Sequence, residues 1–438
     1  MNFIILPNQL FDKKYLPDKS YTYILWEHPQ YFTEYKYNKK RILMHRASMK
    51  YYQDYLKKAK FKNIKYYNFD QSPTKAELSD FMMFDSSDKL KSLKPTKTLE
   101  SPNFLLTNEL QEAYREKTDK FFFHNFYTWA KKELDIIPNI KSKDKENRQR
   151  MPKDFKIPQL PSNDSSSKST KKYIDEAIEY TNKNFPKNYG TTDGFLFPIT
   201  HKTANKWLKN FIQHKFANFG PYQDFINTKD HFLYHSCLST SINMGLLNPS
   251  EIIKEITKPS IKNKIPINSY EGYIRQLFWR EYQLYCYRYF DFSKHNYFKN
   301  NKSITKDWYE GTLKVDPVDD SIKLAFKDGY LHHIERLMVI GNYMNLSRLK
   351  PMDGFKWFME FACDSYEWVM YQNVLDMVFC VTGGQTMRRP YISTSNYILN
   401  MSNYKKGDWC DTWDNLYRTF LKDNKKQLQK FRYYFRNL

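Results

Sequence analysis

Glycine is scarce in this chain: 12 occur among 438 residues, and neither GxxxxGK(S/T) nor GxGxxG is present. That removes a P-loop and a glycine-fingerprint dinucleotide site, both of which press backbone against phosphate. HExxH and CxxC are missing too, and with them the commonest zinc spacings. The five cysteines (Cys237, Cys286, Cys363, Cys380, Cys410) are odd in number and scattered, which suggests reduced buried thiols rather than a disulfide framework. No apolar run approaches the ~18 residues of a membrane span. The opening MNFIILPNQL lacks the basic stretch and small-residue cleavage site of a secretory signal. The expectation is a soluble intracellular protein, in the cytoplasm or at DNA, with no membrane partner.

What the chain has in quantity is aromatic and basic residues. It carries 33 Phe, 36 Tyr and 9 Trp, too much apolar surface for a disordered or collagen-like chain. Its length allows two to three domains. Lys and Arg number 70 against 48 Asp and Glu, a net charge of +22. A polyanion is therefore the first partner to consider, since each neutralised phosphate releases counterions. An AT-rich genome, which enriches Lys, Asn, Ile and Tyr, is the competing source of that charge.

Along the chain, Phe3–Leu6, Tyr23–Trp26 and Ile64–Phe69 read as strands, and Ser48–Lys58 reads as a helix between the last two. That order predicts a parallel sheet with right-handed crossovers. Residues 70–104 read as an eroded or looped part of the same domain, before helical patterns at Asn108–Lys117 and Phe121–Leu134. Residues 141–172, charged, then proline-punctuated, then SNDSSSKSTKK, form the clearest linker. Beyond it the periodicity is helical at Ala204–Phe216, Tyr234–Leu246, Tyr270–Tyr289, Leu331–Leu346, Gly354–Ala362 and Trp413–Phe431. The expected architecture is an α/β domain over 1–137, a linker over 138–172 and a larger all-α domain over 173–438, in a monomer.

Four clusters in the helical half carry chemistry. The run His235-Ser236-Cys237-Leu238-Ser239 places hydroxyls and free N–H groups at a helix start, an anion pocket or simply a cap. In Glu271–Tyr282, the charges of Glu271, Arg275, Arg280 and Glu281 alternate with aromatic rings such as Trp279. That pattern suits base stacking, or only intrahelical ion pairs. In Leu331–Met338, His333 and Arg336 share a helix face, and a histidine near neutrality can deliver a proton. Asp364, in an otherwise apolar segment, needs a buried partner, and Arg336 is the natural one.

In this order the clusters resemble the flavin-binding helical domain of the photolyase/cryptochrome family. The run at 235–239 is similar to its phosphate-binding turn, WREY at 279–282 to its WRE-aromatic signature and HHxxR at 332–336 to its histidine-bearing helix. The likeness is strongest to the bacterial and archaeal (6-4) photolyases. It is carried by ENR at Glu146–Arg148, NFGPYQD at Asn218–Asp224, INMGLL at Ile242–Leu247, EGYIRQ at Glu271–Gln276, LHHIERLMVIGN at Leu331–Asn342, YEWV at Tyr366–Val369, the PY of Pro390-Tyr391 and PNQL at Pro7–Leu10. It covers almost the whole chain, most poorly over 60–105.

The resemblance implies a light-driven DNA-repair enzyme acting on UV-damaged DNA, with FAD between the helices. The flavin would be held by Tyr222, His235, Ser236, Cys237, Leu238, Ser239, Glu271, Arg275, Arg280, Arg336, Asp364 and Tyr366, with Met370 and Asn373 beside the ring. His333 would be the proton donor of (6-4) repair, with His332 next to it. Trp357, Trp308 and Tyr366 would relay electrons, and Gln276, Trp279, Arg388, Arg389 and Tyr391 would meet the lesion. The family's alternative activity is blue-light sensing without repair. An antenna of the 6,7-dimethyl-8-ribityllumazine type is implied for the amino-terminal half, with Asn8, Gln9 and Glu27 as polar contacts. The basic tail (Lys422, Lys425, Lys426, Lys430, Arg432, Arg436) suits a DNA backbone.

Two departures stand out. The branch's cluster cysteines should fall near Asp316-Pro317 and between Asn403 and Asp411, yet only Cys410 fits. One thiolate cannot hold a four-iron cluster, so no metal is expected. Met370 stands where relatives carry Asn or an acid, and a thioether cannot donate a proton there.

Overall fold

The computed structural model describes residues 1–90, 93–152 and 154–435, so Lys91, Ser92 and Lys153 of the polar and linker stretches, and Arg436 of the basic tail, lie outside the described residues. Five parallel strands, β1 (Asn2–Ile5), β2 (Thr22–Trp26), β3 (Asn63–Tyr67), β4 (Phe81–Phe84) and β5 (Lys97–Leu99), form one sheet in the order β3-β2-β1-β4-β5. Ile4 of β1 is paired with Ile24 on one side and Met83 on the other. The first strand at the centre, with the chain winding outward both ways, is the doubly wound arrangement.

Two expectations need correction here. Residues 70–104 are not an eroded loop: they hold the helix Lys75–Ser79, capped by a reciprocal Thr74–Glu77 box, and both β4 and β5. The four residues FMMF of β4 are all buried, so they show no alternation to read. The helix placed at Ser48–Lys58 begins at Lys39, with Asn38 accepting from the Lys40 amide as N-cap. Its first half looks polar because Arg41, His45 and Arg46 point inward. Arg46 pairs with Glu27 at 2.8 Å and Glu176 at 2.6 Å, and Arg41 lies under the Tyr366 ring.

The helical bulk is built around Ile267–Tyr289, 23 residues with buried positions on nearly every side. Of the expected helix Tyr234–Leu246 only Ser239–Asn243 forms, because Leu233 and Cys237 take left-handed backbone conformations. The pattern at Trp413–Phe431 is Asp408–Asp423 followed by two short turns. Three π-helical segments interrupt the regular helices, Phe211–Lys215, Glu335–Gly341 and Asn373–Val378. Such segments often mark functional sites, and the second and third line the cavity described below.

The two halves interlock. Gly245, at φ +86°, lies so close to Phe11 that a Cβ there would stand 2.5 Å from its ring, and Leu10 donates to the Met244 carbonyl at 2.9 Å. The helix Lys168–Asn184, which starts inside the expected linker, packs on Lys39–Lys58 and sends Tyr180 to Glu27. Among the described residues no helix is long and apolar enough to cross a membrane.

Asp88, against Tyr31 and the Trp368 amide (3.1 Å), shows what this interlocking costs. Burial, reinforced by the nearby Glu367, pushes its carboxyl up to about 7. A raised pKa means the folded chain holds a proton that the unfolded chain releases, so this residue's contribution to stability falls as pH rises from about 4 to about 7. Asp88→Asn should therefore gain on the parent protein as pH rises from about 5 to about 7.5, by at most ~1.4 kcal/mol per pH unit. Melting curves at several pH values check this; a constant difference would show that Asp88 is already ionised across the range.

Candidate functional site

A cavity of about 420 Å³ opens among the helices of the carboxy-terminal half, within the range of ligand pockets. Its walls come from segments far apart in sequence: Asp144 and Arg148, Gln223 and Asp224, Ser239 and Asn243, the helix Ile267–Tyr289, His332–Leu337, and Asp364 through Val378. Charge is arranged in two groups.

On the inner side Arg336 donates to both oxygens of Asp364, at 3.0 and 3.2 Å, and through Nε to the Leu331 carbonyl at 2.7 Å. Asn243 donates to the Asp364 carbonyl at 2.9 Å and accepts from Arg280 at 3.1–3.2 Å, while Arg280 also reaches the Asn103 carbonyl at 3.0 Å. One asparagine thereby ties the two arginines' supports into a single framework.

On the outer rim the charges alternate. Arg275 binds Asp144 at 2.7 Å, Arg148 binds Asp144 at 2.8 Å and sits 3.7 Å from Asp224, and Asp224 accepts from His333 Nε2 at 3.0 Å. Gly272 makes this rim possible: a Cβ at that position would fall 2.9 Å from Asn147, the residue between Asp144 and Arg148 that anchors their turn to the Asn268 carbonyl.

The histidines differ in environment. His332 is buried and stacks on His235, with ring centroids 4.8 Å apart and planes 16° apart, and burial holds both rings well below the usual histidine range. His333 is partly exposed, its side chain 42% accessible, and faces the opening. Glu335, 3.6 Å from His332, is pushed up to about 7 by burial.

Of the expected residues, the cavity brings together Ser239, Arg275, Gln276, Trp279, Arg280, His332, His333, Arg336, Asp364, Met370, Asn373 and Tyr391. Others stand elsewhere. Ser236, Cys237 and Leu238 are not on the wall, because the chain before Ser239 is not helical and its side chains do not share a face. His235 lies behind His332. Tyr222 packs its ring near Phe155 and Tyr234. Glu271 is fully buried one layer back, accepting from the Tyr127 hydroxyl at 2.8 Å and the Lys143 amide at 3.0 Å.

Tyr366 is buried against Tyr31, His45 and Arg41, its hydroxyl without a hydrogen-bond partner. Trp357 donates to the Trp308 carbonyl at 2.6 Å and lies 5.3 Å from Phe358, a wall residue. Arg388 is exposed, and Arg389 lies over the rings of Tyr391 and Tyr434.

The antenna candidates are occupied by the fold. Glu27 receives Arg46, the hydroxyls of Tyr66 and Tyr180 and the Phe69 amide, while Gln9 closes the turn after β1 and Asn8 donates to the Ser86 carbonyl. Of the three, only Asn8 keeps a buried polar atom, Oδ1, without a hydrogen-bond partner. Asp144, Arg148, Gln223, Asp224 and Asn243 are also on the wall, and their spacing in the sequence does not point to them. Of these only the ENR and NFGPYQD runs and INMGLL carried a signal, as motifs without a role.

The model of the family described as deoxyribodipyrimidine photo-lyase-related protein matches residues 3–84 and 82–197. A (6-4) photolyase of Agrobacterium fabrum is 33% identical over 299 residues, 65% of this chain and 58% of the other. Over residues 3–197 the chain is similar to the photolyase-related family. It spans less than two thirds of that photolyase's length. An uncharacterised protein of Acanthamoeba polyphaga mimivirus is 51% identical over 88 residues, 20% of this chain and 72% of its own. In fold, this chain superposes on a bacterial class III photolyase from Agrobacterium tumefaciens with a TM-score of 0.59 at 14% identity, covering 97% of this chain and 91% of that one.

Proposed function

We propose that this chain is a light-dependent DNA-repair flavoprotein of the (6-4) photolyase type, binding FAD in the 420 Å³ cavity. The observation that carries the reading is the wall itself. Four arginines, Arg148, Arg275, Arg280 and Arg336, line one space together with Asp144, Asp224 and Asp364 and an apolar stretch of Trp279, Leu337, Phe358, Met370 and Val374. Arginines suit a diphosphate and the apolar wall suits a flat ring. Gln283 Oε1 is buried on this wall without a hydrogen-bond partner, as a site awaiting a polar ligand would leave it.

When bound, FAD supplies the photochemical one-electron transfer. The chain's own residues do the rest. The Arg336–Asp364 pair offers both a donor fork and a carboxylate edge to orient the ring, held in register by Asn243. Asp224 engages His333 Nε2 and orients the ring at the mouth of the cavity, where it would deliver a proton to the oxygen group transferred in the lesion. Damaged DNA would lie over Gln276, Trp279 and Tyr391, with Arg388, Arg389 and the basic tail on the phosphates.

The test is to purify the protein, photoreduce it and illuminate it with oligonucleotides carrying one defined lesion. Restored thymines from the (6-4) substrate alone support the reading. A clean flavin spectrum with no repair of either dimer would favour the second reading, a blue-light photoreceptor, for which Met370 on the cavity wall is the specific observation. A colourless protein that takes up no flavin would overturn both.

A further inference from the structure

Three histidines from two separate segments meet beside the cavity, His332 and His333 on its wall and His235 behind them. One ligand atom from each of His235, His332 and His333 lies within 4.8 Å of the others. The His235 and His332 rings stack, and the His333 ring stands edge-on to both, 5.6 and 6.0 Å away. Nε2 of His235 and Nε2 of His332 have no hydrogen-bond partner although the residues are only 7% and 2% exposed. Leaving such a nitrogen unpaired costs about 1–3 kcal/mol each, so two side by side point to something that binds them.

We propose that His235, His332 and His333 form a binding site for one divalent transition-metal ion of the imidazole-preferring class, such as Zn²⁺ or Co²⁺. Nitrogen donors select this class over Mg²⁺ and Ca²⁺, which take oxygen. Metal–nitrogen bonds of about 2.0–2.1 Å put the donors roughly 3.3 Å apart, so a bound ion would draw together rings whose ligand atoms lie within 4.8 Å of one another. His333 has the carboxylate neighbour that metal-bound imidazoles use, Asp224 at 3.0 Å from its Nε2, which leaves Nδ1 of that ring for the ion. Of the nearby cations, Arg336 is neutralised by Asp364 and Lys215 is bonded to the Leu233 carbonyl at 2.7 Å. A bound ion takes the His333 ring out of proton delivery. That consequence, which rests on the repair reading, makes the site inhibitory.

The chelator-treated full chain is titrated with Co²⁺ by visible absorbance and with Zn²⁺ by calorimetry. The expected result is one equivalent, a four-coordinate Co²⁺ band displaced by Zn²⁺, and affinity lower by on the order of 100-fold in His235→Ala and His332→Ala. His333→Ala, at a partly exposed ring, serves if either buried variant fails to fold. No stoichiometric binding, or binding unchanged in the folded variants, overturns the site, and water then satisfies the nitrogens. Repair stopped by one equivalent of Zn²⁺ supports the inhibitory role, and undiminished repair with the ion bound overturns it. Metal binding by a protein that repairs nothing, with or without the ion, leaves the site standing and removes the repair reading instead.

Discussion

His333→Ala is expected to keep flavin and damaged-DNA binding while losing light-driven (6-4) repair by at least ~10²-fold, the scale of a positioned general acid. The ring is chosen by geometry and not by the HH motif alone. His332 is buried, stacked on His235 and held neutral, so it is a poor proton source. The His333 side chain is 42% exposed and is bonded to Asp224 at 3.0 Å, the carboxylate that orients the ring. Asp224→Asn should then give a smaller loss, because the proton carrier remains but is held less firmly in place. Single-turnover repair per absorbed photon on a defined oligonucleotide measures both. Normal repair in His333→Ala would remove its assigned role, whereas loss of DNA binding in that variant would mean the ring acts by contact.

How much of this was legible differs between the two halves for a physical reason. Strands β1 and β2 are short apolar runs bounded by turns, and they could be placed to within a residue. Strand β4 could not, because FMMF is buried on both faces and preceded by a polar stretch. The helix Lys39–Lys58 hid its first half because buried arginines look, in a sequence, like solvent-facing ones. Only the tertiary partners Glu27, Glu176 and the Ser365 carbonyl show otherwise.

In the site, the residues that could be named are those whose type is unusual for a helix interior: Arg275, Arg280, Arg336 and Asp364. Those that could not be named act by closing distances between segments. Asn243 joins the supports of Arg280 and Asp364, and Asp144 joins Arg275 to Arg148 from inside what reads as a linker. Proximity of that kind has no periodicity. The run at 235–239 misleads in the opposite way: its composition suggests one polar helix start, but the left-handed backbone of Cys237 splits the run between wall and core.

Arg336→Leu is the substitution expected to cost most in both stability and flavin retention. The guanidinium makes two bonds to Asp364 and a third to the Leu331 carbonyl, and the side chains of the ion pair are only 16% and 11% exposed. Removing the cation leaves a carboxylate without its partner in an apolar wall, and breaking such a buried pair costs about 3–5 kcal/mol. Because partial exposure lets water screen the orphaned charge, the lower end of that range is expected. Urea unfolding of the parent, Arg336→Leu, Asp364→Leu and the double variant separates the pair's coupling from the loss of each side chain. The double variant should recover stability relative to either single one, since no charge is left unpaired, yet it should not recover flavin, since the donor fork and the carboxylate edge are both gone. Arg336→Lys, which keeps the charge but not the two-pronged geometry, should fold nearly as well as the parent while binding flavin more weakly. A loss below about 1 kcal/mol in Arg336→Leu would place the pair among ordinary surface ion pairs. Full flavin content in the double variant would move the ring-orienting role to Asn243, Arg280 or Asn373.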